Sequence, residues 1–202
     1  NISGYVLQED ILQSELTVYE AIEYSARFRL PGFVRKKNLT DLVNHLIEVF
    51  DLERCKDTRI GETGKRGISG GEKKKTAIAA EVVTNPKILI LDEPTTGLDS
   101  VNAENVVETM KKLAKLGKVV ISTIHQPSIE MLKNFDKVLI LHEGKKIYHG
   151  SYLDMRLFFS KKGINIPRFV NPVEYLMNIL NITENTCEML TKHVSEKFND
   201  FY

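Results

Sequence analysis

The chain has 202 residues, 42% of them hydrophobic, enough for one compact domain with a small helical lobe. Lys plus Arg number 28 against 27 Asp plus Glu, a formal charge of +1, so the basic footprint of a nucleic-acid binder is missing and no nucleic-acid partner is expected. The two cysteines, Cys55 and Cys187, are far apart and suggest neither a disulfide framework nor a zinc site, no apolar run approaches the ~20 residues of a membrane span, and the first residues do not read as a signal peptide.

In chain order, Gly4-Tyr-Val-Leu7 reads as a short strand that enters a loop at Gln8. Thr17-Val-Tyr-Glu20 has capping-box spacing and predicts a helix to about Leu30, stopped by Pro31-Gly32. Leu42, Val43, Leu46, Ile47 and Phe50 recur at helical spacing and predict a second amphipathic helix. A third helix is expected from near Gly70 to about Val83, ended by Asn85-Pro86. The runs Ile88–Leu91, Val119–Ile124 and Val138–Leu141 have strand length and are continuous, which predicts strands covered on both faces, as in a parallel sheet. A helix over about 102–115 separates the first two, a βαβ arrangement. Glu143-Gly144-Lys145 reads as a hairpin turn, and Asn171-Pro172-Val173-Glu174 as a strong helix start. The tail beyond about Thr183 is polar and reads as a final helix or a linker. The basic runs Arg35-Lys36-Lys37 and Lys73-Lys74-Lys75 read as solvated helix faces.

Two segments carry chemistry. Ser69-Gly70-Gly71 opens a helix, where free backbone N–H groups and the positive end of the dipole suit a phosphate, and glycines permit close backbone approach. Taken alone, such a turn is an ordinary glycine-rich cap. Ile88-Leu-Ile-Leu-Asp-Glu93 is a buried strand ending in two carboxylates, one to hold Mg²⁺ and one to act on water. Adjacent acids repel unless a cation or proton lies between them. Together the segments read as a nucleoside-triphosphate site.

In this order and spacing they resemble the signature and Walker B segments of ATP-binding cassette (ABC) ATPases. Gly97-Leu98-Asp99-Ser100 resembles the D-loop of that family, His125 its switch histidine and Gln8 its Q-loop glutamine, with Leu16-Thr17-Val18-Tyr19-Glu20 looking like the start of its helical subdomain. The resemblance implies an α/β fold: a P-loop NTPase-type (ABC ATPase) core with a largely parallel sheet, incomplete at its N-terminus, and an inserted helical subdomain at about 15–85. The domain is expected to span 1–180, with 181–202 a helix or linker toward a membrane domain. It implies ATP and Mg²⁺ as ligands. Glu93 and His125 are expected to be catalytic. Gln8, Ser69, Gly70, Gly71, Glu72, Asp92 and Asp99 are expected to bind nucleotide, and Asp92 and Gln8 to hold the metal, partly through water.

Three features resemble the G subfamily of ABC transporters: Arg66-Gly67-Ile68-Ser69-Gly70-Gly71-Glu72; His125-Gln126-Pro127-Ser128; and the stretch Ile147-Tyr148-His149-Gly150, Phe158-Phe159, Gly163 and Asn171-Pro172-Val173-Glu174-Tyr175. The implied partners are a second ABC ATPase domain, identical or not, and a transmembrane domain of the same polypeptide. The ATPase domain is expected on the cytosolic face of a membrane, driving export of a lipid-like or amphipathic substrate. The alternatives are a soluble ABC ATPase and a non-catalytic module donating its signature in trans. A P-loop requires Gly-x-x-x-x-Gly-Lys-Ser/Thr, and Gly61-Glu-Thr-Gly-Lys-Arg-Gly67 has the wrong spacing for it. The chain is therefore expected to be a fragment beginning after that motif, and inactive alone.

Overall fold

The computed structural model describes residues 2–32, 36–62 and 67–182. The polar tail from 183, Cys187, Arg35 and the pair Lys65-Arg66 lie outside the described residues. The chain forms two compact units, Asn1–His125 and Gln126–Tyr202.

In the first unit, β1 (Ser3–Val6), β2 (Ile88–Leu91) and β3 (Val119–Ser122) form a parallel sheet in the order β1-β2-β3. Register aligns Val6 with Leu91, and Leu91 with Ser122. The strands therefore end level, and the residues just past them emerge side by side. This single fact positions the site.

The unit has four helices, α1 (Val18–Arg29), α2 (Lys36–Val49), α3 (Gly70–Val82) and α4 (Ser100–Lys115), of which α3 packs on β1 and α4 on β3. Thr17 caps α1 through a reciprocal box with Glu20, as the sequence predicts. α1 packs against both α2 and α3, and α3 packs against α4. Ile22, Val43, Phe50, Ile78, Leu89, Leu91, Val106 and Met110 are buried. Each large apolar side chain so buried contributes about 1.5–3 kcal/mol relative to exposure.

The second unit holds α5 (Ile129–Leu132), the hairpin β4 (Val138–His142) and β5 (Lys145–Gly150), then α6 (Tyr152–Ser160) and α7 (Pro172–Ile182). Glu143 and Gly144 have φ of 47° and 73°, the left-handed pair that a two-residue hairpin turn requires. Its core joins Ile140, Ile147, Tyr148, Met155, Phe159, Leu176 and Leu180. Asn171 caps α7 by accepting from the Val173 N–H at 3.1 Å.

Two expectations need correction. Val138–Leu141 does not join the parallel sheet: β4 pairs antiparallel with β5, because the tight turn folds the chain back locally. Nor are all three apolar runs covered on both faces. Val119 and Ile121 on β3, and Leu139 and Leu141 on β4, are exposed in alternation. A run of apolar residues fixes strand length but not the number of covered faces. Among the described residues no helix is long and apolar enough to cross a membrane.

Candidate functional site: the paired acids and the serine-glycine turn

The level strand ends build the acid cluster. Asp92 follows β2 and its N–H donates to the Val6 carbonyl at 2.9 Å, while the Thr123 N–H donates to the Leu91 carbonyl at 3.1 Å. Thr123 thus stands beside Asp92, and Gln8 beside Glu93. The Thr123 hydroxyl donates to Asp92 Oδ1 at 2.8 Å and accepts from the Glu93 N–H at 2.8 Å, so one side chain holds both acidic residues. The Tyr5 hydroxyl donates to Asp92 Oδ2 at 3.2 Å. The Tyr5 phenol is pushed above its ordinary value, by desolvation first and then by the charge and bond of Asp92.

Glu93 is fixed from three sides. Gln8 Nε2 donates to Glu93 Oε2 at 3.0 Å, and the Thr96 hydroxyl donates to the same oxygen at 3.0 Å. The Glu93 backbone has φ 41°, a left-handed conformation that costs a non-glycine residue on the order of 1 kcal/mol or more. It persists because the Thr123 bond to its N–H and the side-chain bonds determine it. Strain of this kind concentrates at functional positions. Both acids are half-buried.

The serine-glycine turn is built locally. Ser69 is the N-cap of α3: its hydroxyl accepts from the Glu72 N–H at 3.2 Å, and the Glu72 carboxylate accepts from the Ser69 N–H at 2.8 Å. The serine still has its O–H to donate outward. Ser69 and Gly70 are exposed, and Gly71 is buried. Glu72 enters the site as the residue that shapes it. Burial raises its carboxyl pKa, but the Ser69 bonds, the Cys55 thiol and Lys75 outweigh burial, and the net shift is downward. Cys55 is in turn pushed up from its ordinary 9.0 to about 11, by burial first and then by Glu72.

A Cβ on Gly71 would lie 2.7 Å from Asn102 Oδ1 and 3.0 Å from Asn102 Cβ, and one on Gly70 would lie 3.0 Å from Leu98 Cδ2. The two glycines therefore let the turn seat directly on the start of α4. Asp99 is the N-cap of α4, accepting from the Asn102 N–H at 3.4 Å and from the Asn102 side-chain amide.

The structure thus gathers the predicted residues into two sets. Gln8, Asp92 and Glu93 form one; Ser69, Gly70, Gly71, Glu72 and Asp99 form the other. His125 enters neither set of contacts and is exposed on the segment leaving β3. Sequence reasoning missed Tyr5, Thr96, Asn102 and Thr123. Counting one residue past each strand end would have found Thr123, once the register was known.

Sequence reasoning also misread Lys74. The run Lys73-Lys74-Lys75 is not uniformly solvated: Lys74 is 3% exposed. Gly71, Lys74 and Ile78 fall on one face of α3 at helical spacing, and that face is buried.

Comparison with known proteins agrees with this geometry. A family model described as "ABC transporter" matches residues 1–96, and one described as "ABC-2 type transporter" matches residues 125–197. ABC transporter G family member 13 of Arabidopsis thaliana is 44% identical over 179 residues, 89% of this chain and 26% of that protein. Member 14 of the same plant is 40% identical over 205 residues, 99% of this chain and 32% of that protein. The broad substrate specificity ATP-binding cassette transporter ABCG2 of Mus musculus is 38% identical over 179 residues, 89% of this chain and 27% of that protein. The solved dimer of the ATP-binding cassette MJ0796, in a post-hydrolysis state with ADP and Pi, superposes with a TM-score of 0.60 at 25% identity, covering 75% of this chain and 63% of that one.

Parallel strands ending in paired acids, beside a helix that opens on Ser-Gly-Gly, define an ABC-type ATPase fold. Both family models that match the chain are ABC transporter models, and the relatives it resembles over most of its length belong to the G group. It spans between a quarter and a third of the length of these curated relatives, at 26%, 32% and 27%.

Proposed function

We propose that the complete protein hydrolyses ATP to drive export of a lipid-like or amphipathic substrate across a membrane, with this chain in its ATPase domain on the cytosolic face. Two such domains close head to tail. Each nucleotide lies against the acids of one subunit and the Ser69-Gly70-Gly71 turn of the other. Glu93 is the general base: its carboxylate takes a proton from the attacking water, which Gln8 helps to orient. Ser69 O–H and the first N–H groups of α3 bind the phosphoryl oxygens, and His125 donates to the terminal phosphate. Asp99 caps the segment that meets the partner.

The observation that carries this reading is the hold on the half-buried Glu93: two hydrogen bonds on its carboxylate, a third from its own N–H to Thr123, and a left-handed backbone. No group of three or more His, Cys, Asp or Glu side chains suited to a metal occurs among the described residues. Mg²⁺ needs no such cage, because it keeps several waters and takes one or two carboxylates plus phosphate oxygens. Asp92 fits that role: the bonds from Tyr5 and Thr123 leave about two of four lone-pair sites on the carboxylate. Asp92 and the Gln8 amide would hold the ion, which would neutralise phosphate charge when bound.

A transporter is favoured over a soluble ABC ATPase by the match of residues 125–197 to a transporter model. The test is MgATP turnover by the complete protein in lipid. Glu93→Gln is expected to lower kcat by about 10²–10⁴-fold while ATP binding persists. Turnover at the native rate by that variant would contradict the reading.

A further inference from the structure

We propose that Lys74 is a positioning residue that fastens the segment bearing Gln8 to the signature helix, so that the hold of Gln8 on Glu93 follows the position of that helix. This rests on the ATPase reading above and extends it.

The Lys74 side chain is 3% exposed. A buried ammonium is costly unless its charge is paired and its protons are all bonded. All the acceptors of Lys74 lie in one short segment. Its Nζ donates to the Gln8 carbonyl at 2.8 Å and to the Leu7 carbonyl at 3.4 Å, and lies 2.6 Å from Asp10 Oδ1. Two of its N–H donors thus meet main-chain carbonyls, and its charge is paired with Asp10 Oδ1, a buried oxygen at ion-pair distance that accepts no well-aligned hydrogen bond. The Asp10 side chain is itself only 12% exposed, so the pair is held away from solvent screening.

The consequence is a line of direct contacts. Ser69 opens α3, and Lys74 stands five residues along the same helix. From its ammonium the line passes to the main chain of Gln8, and from the Gln8 amide to Glu93 at 3.0 Å. A helix moves as a rigid rod over so short a stretch, so displacing the serine-glycine turn displaces the ammonium. The Gln8 backbone moves with it, and the amide leaves or approaches the carboxylate. In a head-to-tail pair the turn serves one nucleotide, whereas Gln8 and Glu93 serve the other. Lys74 therefore joins the two sites through the interior of a single subunit.

The test is a double-mutant cycle on the complete protein, with kcat, KM for ATP and the thermal midpoint measured for each variant. One arm replaces the ion pair by neutral groups, Lys74→Gln with Asp10→Asn, which orphans no charge. The other arm is Gln8→Ala. The neutral pair is expected to lower kcat about tenfold in the native background and less than about twofold in the Gln8→Ala background, a strong coupling. KM for ATP should stay within about twofold in the native background, since α3 and its cap remain. Should the neutral pair fail to fold, Lys74→Arg, which keeps the charge but not the compact three-donor geometry, is run through the same cycle and read in the same way. Equal fold losses in both backgrounds, or no loss at all, would overturn the proposal. A native protein that hydrolyses no ATP would instead remove the ATPase reading beneath it.

Discussion

The acid pair and the serine-glycine turn sit in the same unit but are held by different means. The turn is self-contained: Ser69 and Glu72, three residues apart, satisfy each other's N–H groups. The acids depend on distant chain. Tyr5, Gln8, Thr96 and Thr123 supply the bonds, and three of them come from other strands or strand ends. A locally closed turn can present its groups to a second molecule without relying on the rest of its own fold. A carboxylate proposed to act on water needs a fixed position, which the sheet register provides together with the local bond from Thr96. The difference predicts that substitutions around the acids disturb chemistry, and that substitutions around the turn disturb stability.

The largest effect that separates the two regions is expected at Thr123. Thr123→Val keeps the side-chain shape and removes the hydroxyl that bonds both acids. A hydrogen bond to a charged group contributes about 1.5–3 kcal/mol, so kcat should fall about tenfold or more, with the unfolding midpoint changed much less. A variant that lost stability and kept kcat would break the comparison.

Gly71→Ala probes the other side. Its Cβ meets Asn102, whose side chain also bonds Asp99, so α3 must shift or the α4 cap must yield. Urea unfolding is expected to show a loss on the order of 1–3 kcal/mol. Glu72→Ala removes half of the capping box and should cost about 1 kcal/mol in the same assay.

The smallest effect is a pH dependence at Cys55. Its folded pKa stands above the ordinary 9.0, at about 11, so the buried thiol contributes stability below pH 9 that fades as pH rises through about 11. Cys55→Ala should flatten that alkaline slope in unfolding curves measured between pH 8 and 11. An unchanged slope would show that Cys55 is not the group responsible.

The sequence made the helices legible because their signals are local. Thr17 with Glu20, and Asn171 with Pro172, mark helix starts within four residues, and the structure begins α1 and α7 there. Glu143-Gly144 likewise marks its turn. The acids were legible because they close a continuous apolar strand. Their supports were not, since Tyr5 is 87 residues and Thr123 is 31 residues from Asp92. Only the alignment of Val6, Leu91 and Ser122 brings them together, and register is not written in any one segment. Lys74 was misread for a related reason. A charge run looks solvated until the inward face of its helix is known, and that face is set by packing of α3 on α1 and α4.

In the proposed head-to-tail pair, the serine-glycine turn of one subunit completes the acid site of the other. Mixed dimers carrying the same two substitutions in two arrangements test it most directly. With Glu93→Gln on one subunit and Ser69→Arg on the other, the account leaves one intact composite site, and ATP turnover is expected. With both substitutions on one subunit and a native partner, each site loses one component, and turnover should be abolished. The reverse pattern, activity only when both substitutions share a subunit, would show that each site lies within a single chain and would contradict the account.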